Sequence, residues 1–337
     1  MKGLLFFRFL LLAAALIGIL LLNLCLGEVN FSLGEVLRLI LDFIQKQNST
    51  ESTMAILMDI RLPRALAACL VGASLGISGY QLQALSNNGL ADPYLTGVSS
   101  GAGLAVTIAI VLGVDFAFIP ALSLAGGLAA STVVLLLSKS NEKISVSRLL
   151  LCGVALSAFC GAIITMLICS GQGSVRTQGI YYWLAGSVSG KSWTEISSAG
   201  VYIAAGVVLA LLTSKPLRLL SLGSSTAQSL GLEVLKAQIA VLFSAILLCS
   251  ASVSLSGIVG FAGLVAPYFA RQFFGRDERS HIISSAGIGA CLVLLSDLAA
   301  RCLSGGQEPP LGTLLSLIGG PFFLYLLYKR SEGVYRL

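Results

Sequence analysis

From Pro63 to Leu85 the only charged side chain is Arg64, at the very start. As a helix rising about 1.5 Å per residue, this run is long enough to cross a hydrocarbon core of ~30 Å. Its side chains are not those of a rod bathed in lipid. Gly72, Gly76, Gly79 and Gln83 recur at helical spacing on one face, and Ser74, Ser78 and Gln81 fall on roughly the opposite one. Small residues allow close helix contact, and amides inside a bilayer need partners, so the helix is expected to be enclosed by protein on both sides. The pattern then breaks at Asn87-Asn88-Gly89 and restarts at Asp92-Pro93, an N-cap type followed by a residue suited to the first helical turn.

The rest of the chain supports a polytopic membrane protein. Hydrophobic residues make up 56% and charged residues 11%, whereas a soluble domain carries about a quarter charged. The eight cysteines lie mostly within apolar runs with no C-x-x-C pair, so they read as small apolar fillers. His281 is the single histidine, at a loop edge with no Cys near it in sequence, which argues against a protein metal site. The net charge of +6 points to basic loops beside a membrane rather than to nucleic acid.

Ten spans are expected, near 1–26, 63–85, 93–112, 117–137, 149–169, 193–213, 236–253, 257–274, 282–302 and 311–328. The first, with Lys2 and Arg8 ahead of an apolar run, also fits a signal peptide and is read as an uncleaved span. Between spans 1 and 2, Leu33 to Ile44 is amphipathic and suits the membrane surface. A basic loop follows at 139–148, and 170–192 is read as a polar, glycine-rich connection. Ten spans place both termini on one side. With the N-terminus inside, Lys and Arg near span ends favour the inner side about two to one.

Several stretches resemble the FecCD/BtuC family of permease subunits. They are Arg61-x-Pro63-Arg64, then Gly72-Ala73-x-Leu75 with Ser78-Gly79, then Asn88 with Leu90-Ala91-Asp92-Pro93, then Gly97, Ser99 and Gly101-Ala102. Similar matches run through 147–157, 181–187, 222–231, 257–271 and 307–327. Gly89 stands where the family usually has proline, and Thr96 where it has leucine. The resemblance implies an all-α, single-domain permease of about ten transmembrane helices over residues 1–337, of the type II ABC importer architecture. It also implies two copies forming a homodimer in a bacterial cytoplasmic membrane, with both termini cytoplasmic. A separate cytoplasmic ATPase would bind ATP and Mg, leaving no cofactor in this chain. An extracytoplasmic binding protein would deliver an iron–siderophore complex, haem or cobalamin.

The same resemblance assigns roles to individual residues. Arg61, Arg64 and Arg301 match positions that meet glutamates of the binding protein; exposed ion pairs of ~0.2–1 kcal/mol each would orient and speed that encounter. The connection at about 215–235, with Leu222, Gly223, Ala227, Leu230 and Gly231, matches the ATPase-coupling loop, and Ser224-Ser225 replace acidic residues common there. For the pathway it points to Ser157, Gly161 and Thr165 on span 5 and Thr313, Ser316 and Gly320 on span 10. Asn88 and Leu90, with the 143–147 loop that holds Ser145 and Val146, would close the inner end.

Three features are read from the residues themselves. Asp297 precedes Arg301 by one helical turn, a spacing that permits an ion pair, and a carboxylate at bilayer depth calls for one. Ala185 to Ser192 satisfies a loose P-loop pattern but lacks a preceding strand, and Gly186 to Ser192 is read as a turn before span 6. A rival reading is a secondary transporter driven by an ion gradient. Apart from Asp297, however, the spans hold almost no ionisable residue away from their ends.

Overall fold

The structure, a computed structural model, describes residues 2–27, 29–45, 51–139, 143–170, 175–275, 277–303 and 308–331. Parts of the expected 139–148 loop and 170–192 connection, and the C-terminal charge Arg336, lie outside these residues. Among the described residues the chain is all-helical, with one antiparallel bridge between Lys139 and Ile144.

In chain order, α1 (Lys2–Cys25) leads to the amphipathic α2 (Leu33–Gln45) and the short α3 (Glu51–Ala55). A π-helical stretch, Ile56–Arg61, continues directly into α4 (Leu62–Ser86). A 3-10 turn, Pro93–Thr96, precedes α5 (Val98–Leu112), and α6 (Ile119–Ser138) and α7 (Val146–Ser170) follow. Then come α8 (Val175–Ala185), α9 (Trp193–Leu212), α10 (Ser214–Ser221), α11 (Ser224–Ser229) and α12 (Val234–Ser256). The last three are α13 (Ala262–Phe273), α14 (Glu278–Leu303) and α15 (Leu311–Ser331).

Local chemistry sets several of these boundaries. Ser32 and Glu35 exchange hydrogen bonds with each other's backbone N–H groups to start α2, and Ser192 and Glu195 do the same for α9. Asn87 ends α4 in the left-handed region at φ 48°, a conformation that asparagine tolerates better than most residues.

The bundle is organised around α4, of whose 25 residues 18 are buried. On one side Gly72 faces the backbone of Gly289, Gly76 that of Ser285 and Gly79 that of Gly263, so closely that no Cβ could be accommodated. Those contacts bring α14 and α13 against α4 with dispersion in place of side-chain volume. On the other side, Ser78 Oγ donates to the Ala245 carbonyl at 2.7 Å. Ser244 Oγ donates to Gln81 Oε1 at 3.2 Å and to the Gly206 carbonyl at 3.0 Å. The two polar faces expected from the sequence are therefore both enclosed, one by α13 and α14 and the other by α9 and α12.

Among the described residues six helical segments are long and apolar enough to cross a membrane: Gly3–Cys25, Phe116–Ser138, Val146–Ser170, Trp193–Leu212, Val234–Ser256 and Glu278–Leu303. Val98–Leu112 and Leu311–Tyr325 are apolar but shorter.

Four expectations need correction. Span 8 is not helical from residue 257: helix begins only at Ala262, after an irregular stretch in which Phe261 is left-handed at φ 64°. The 170–192 connection contains the helix α8, which an apolar-run reading misses because Arg176, Thr177, Gln178 and Gly179 occupy much of its length. Residues ahead of span 2 are already helical from Glu51. His281, expected at a loop edge, is buried in the first turn of α14. There its Nε2 faces the Gly275 carbonyl at 3.0 Å, which assigns Nδ1 as the acceptor for the Tyr80 hydroxyl at 3.1 Å.

Candidate functional site

At the end of the bundle where α4 starts, the three arginines singled out by sequence come together, but they face inward. Arg61 is 6% exposed. It donates to the Leu24 and Cys25 carbonyls at 2.6 and 3.1 Å, and to that of Val29, and its guanidinium lies 4.7 Å from the Phe31 ring centroid. Burial first, and the Arg301 charge second, push its pKa down, yet an arginine stays protonated in proteins. It closes the C-terminal end of α1, where carbonyls lack helical partners.

Arg64 ties three elements together. Its Nε meets Asp297 Oδ1 at 2.9 Å, its Nη1 and Nη2 form a two-pronged pair with Glu308 at 3.0 and 2.8 Å, and Nη1 reaches Ser189 Oγ at 3.3 Å. Arg301 pairs with the same Asp297 at 3.3 Å, as its helical spacing predicts, and donates to the Asn23 and Leu26 carbonyls. Asp297 is only 1% exposed, whereas Glu308 is 37% exposed. Two cations thus meet two carboxylates, and the buried charges are compensated. A cavity of about 360 Å³ adjoins the cluster, bounded by Tyr182, Ser187 and Pro310. Glu308 escapes sequence reasoning, because its partner is distant along the chain. The spacing of Asp297 and Arg301 is the one legible signal.

Further into the bundle, two interruptions of helix meet. The break between α4 and α5 presents Tyr94, whose hydroxyl donates to the Val259 carbonyl and accepts from the Val259 N–H, both at 3.0 Å. Val259 belongs to the break between α12 and α13, and Ser187 N–H caps the Ser256 carbonyl beside it at 2.7 Å. Each interruption supplies partners for the other's exposed backbone, the condition for irregular chain inside a membrane protein. Asn88 and Leu90 lie in the first break, half-buried, with the Leu90 N–H bonded to Asn88 Oδ1 at 3.1 Å.

Only Leu149, Gly153 and Cys160 of α7 are buried. Leu151, Val154, Phe159 and Met166 are exposed on it, as are Leu317, Ile318 and Tyr325 on α15. Thr165, Thr313 and Ser316 are exposed on these same helices, and a Cβ on Gly161 would meet nothing within 4 Å. Ser157 is half-buried, with its hydroxyl donating to Ser100 Oγ at 3.2 Å. Ser145 and Val146 lie at the start of α7, where the Ser145 N–H bonds the Ser138 carbonyl at 3.2 Å.

Beyond the C-terminal end of α9, the short helices α10 and α11 are joined through Gly223 at φ 103°, and the chain leaves α11 through Gly231 at φ 83°. Both angles lie in a region that glycine alone adopts readily. The turns bury Ala227 completely and leave Leu222 and Leu230 exposed, at 60% and 59%. The P-loop-like segment is a turn ahead of α9, as expected, with Lys191 bound to Glu195 at 2.8 Å. Among the described residues no cluster of three or more His, Cys, Asp or Glu is placed to hold a metal.

Comparison with known proteins agrees with this architecture. The hemin transport system permease HmuU of Yersinia pestis is 37% identical over 322 residues, covering 93% of this chain and 94% of the relative. The iron(3+)-hydroxamate import permease FhuB of Bacillus subtilis is 36% identical over 327 residues, covering 92% and 82%. The vitamin B12 import permease BtuC of Vibrio cholerae is 35% identical over 281 residues, covering 82% and 83%. A solved metal-chelate type ABC transporter in an inward-facing conformation superposes with a TM-score of 0.84 at 29% identity, over 98% of this chain and all of the other. Residues 14–329 match the FecCD transport family, and the chain belongs to that family.

Proposed function

We propose that this chain is the membrane-spanning permease subunit of an ABC importer that carries an iron chelate, haem or cobalamin across the cytoplasmic membrane. Two copies form the conduit, a separate ATPase drives it, and an extracytoplasmic binding protein supplies the cargo. In this reading ten segments cross the bilayer: α1, α4, α5, α6, α7, α9, α12, α13, α14 and α15. The irregular stretch before α13 extends that short helix, and both termini face the cytoplasm. The uncovered apolar faces of α7 and α15 are where the second copy packs, so that Thr165, Thr313 and Ser316 line the space between protomers.

The observation that carries the reading is the lever of α10 and α11. Its two leucines project from a glycine-defined turn, while Ala227 between them anchors the loop to the bundle. An exposed apolar pair on a fixed helical mount suits a groove on a partner. For Arg61, Arg64 and Arg301, the internal bonds support a docking role through the shape and orientation of this end of the molecule rather than through free guanidinium groups.

Reconstitution tests the proposal. In vesicles containing the matching ATPase and binding protein, chelate should accumulate only when ATP is on the ATPase side. Leu222→Glu with Leu230→Glu should abolish co-purification of the ATPase and leave thermal stability unchanged. Uptake by the purified chain alone under a proton or sodium gradient would refute the importer reading in favour of a secondary transporter.

A further inference from the structure

Between α6 and α9 lies a groove of about 940 Å³ that the transport reading leaves without a role. Its walls are Pro120, Ala121, Ala125 and Leu128 on one side and Ser198 and Tyr202 on the other, and Ser254 of α12 lies at its floor. Each wall belongs to a segment long and apolar enough to cross a membrane. The groove is therefore flanked by hydrocarbon, and its largely apolar lining offers water few partners. Along each helix it extends about 12 Å, counted as eight residues from Pro120 to Leu128 and from Thr194 to Tyr202. One leaflet of the hydrocarbon core is about 15 Å deep. The groove thus matches the depth of a single acyl layer, starting at the end of the bundle that carries Arg64.

The mouth of the groove is polar and carries both signs of charge. Glu195 lines it, with Oε1 on Lys191 Nζ at 2.8 Å and Oε2 accepting from the Ser192 N–H at 3.0 Å. Thr194 adds a hydroxyl, and Phe116 and Trp193 lie at the same level, as aromatic residues do at membrane interfaces. We propose that this groove is a binding site for one phospholipid with a zwitterionic, ethanolamine-type headgroup. One acyl chain lies between α6 and α9, the ammonium meets Glu195, and the phosphate meets Lys191 and Thr194. An anionic headgroup lacks a match, because the Lys191–Glu195 pair leaves this end of the groove without net positive charge, whereas a zwitterion can oppose both members of the pair. The inference rests on the membrane placement of α6 and α9 and not on the cargo, so an uptake assay that fails leaves it standing.

The test is a lipid count on the full chain, equilibrated in vesicles of equal phosphatidylethanolamine and phosphatidylglycerol, extracted in mild detergent and read by native mass spectrometry. One phosphatidylethanolamine should stay bound per protomer. Ala125→Phe, or Ser198→Phe if the first does not elute as a folded species, should fill the groove and remove it. Glu195→Gln keeps the acceptor oxygen that starts α9 and removes the charge. Its preference for phosphatidylethanolamine over phosphatidylglycerol should fall about threefold to fivefold, the scale of one exposed ion pair. No retained lipid in the unsubstituted chain overturns the proposal, as do equal retention of phosphatidylglycerol, an unchanged count in a folded groove-filling variant, or a second copy of the chain occupying the groove.

Discussion

Asp297 should be the most costly single carboxylate to neutralise, and Glu308, on the same arginine, should be among the cheapest. Asp297 is 1% exposed and serves both Arg64 and Arg301. Changing it to Asn leaves two buried guanidinium groups facing one half-solvated carboxylate. Removing one partner of a buried pair costs about 3–5 kcal/mol, and Asn retains an acceptor oxygen, so the low end, about 3 kcal/mol, is expected. That is a shift of about a hundredfold in the unfolding equilibrium. Glu308 is 37% exposed, and its pair is worth about 0.2–1 kcal/mol after solvent screening. Glu308→Gln should thus remain within a few-fold of the parent.

The protein carries its own reporters for this comparison. Cys25, Cys160, Cys249 and Cys291 are buried free thiols, and a thiol-reactive fluorophore added in detergent registers their exposure as the bundle opens. The half-time of labelling at fixed temperature should shorten sharply for Asp297→Asn and scarcely for Glu308→Gln. Replacing Asp297 and Arg301 together by leucine should recover part of the loss, because an apolar pair of similar volume replaces an incomplete ionic one. Equal losses for the two carboxylate variants, or no loss for Asp297→Asn, would refute the claim that burial rather than charge number sets the energetics of this cluster.

Other consequences follow from single contacts. A Cβ on Gly79 would enter the van der Waals envelope of the Gly263 carbonyl, so Gly79→Ala should cost about 1–3 kcal/mol or prevent accumulation. Gly161→Ala, whose new methyl would meet nothing within 4 Å in its own chain, should leave the thiol-labelling half-time unchanged. Tyr94→Phe leaves both backbone groups of the fully buried Val259 without their partner, a loss of about 1–3 kcal/mol visible in thermal inactivation. Bonds from Ser32 hold the Glu35 carboxyl below its ordinary pKa. A depressed carboxyl favours the folded form above the unfolded pKa and loses that effect as the pH falls through the folded value. Protection of the amides at the start of α2, with the intrinsic pH dependence of exchange divided out, should accordingly fall as the pH drops below the ordinary carboxylate range, and Glu35→Gln should flatten the dependence.

How much of this was written in the sequence depends on the distance over which each cause acts. The enclosure of α4 was legible because Gly72, Gly76, Gly79 and Gln83 repeat on one face with Ser74, Ser78 and Gln81 opposite, and both facts belong to one helix. The Asp297–Arg301 pair was legible for the same reason, as were the glycine turns that frame α11. The start of span 8 was not. Residues 257–261 are apolar enough to read as helix, and the partner that satisfies their exposed backbone is a tyrosine hydroxyl from the other break. The burial of Arg61 and Arg64 was hidden as well, since Glu308 and the Leu24, Cys25 and Val29 carbonyls lie far along the chain. A charged residue beside an apolar run looks the same in sequence whether it faces solvent or closes a helix end.

Some parts of the bundle are fixed by their own packing and others are free to take partners. Where glycine brings backbones together, as between α4, α13 and α14, there is no intermediate packing to slide into, and the contact acts as a rigid joint. Both helix interruptions are joined to that core through Tyr94 and Val259, so they too move with it or not at all. By contrast α7 buries Leu149, Gly153 and Cys160 and leaves most of its length uncovered. Helices that gain little from their own chain must gain from lipid or from a second copy, and they can exchange one for the other at small cost. Relative motion between protomers should therefore appear at α7 and α15, with α4, α13 and α14 displaced as one unit. Paired spin labels test this: a label pair on exposed positions of α7 and α15 should change separation when ATP and ATPase are added, while a pair bridging α4 and α14 should not. A change at the glycine-packed pair with none at the exposed pair would show that the mobile joint lies inside the core instead.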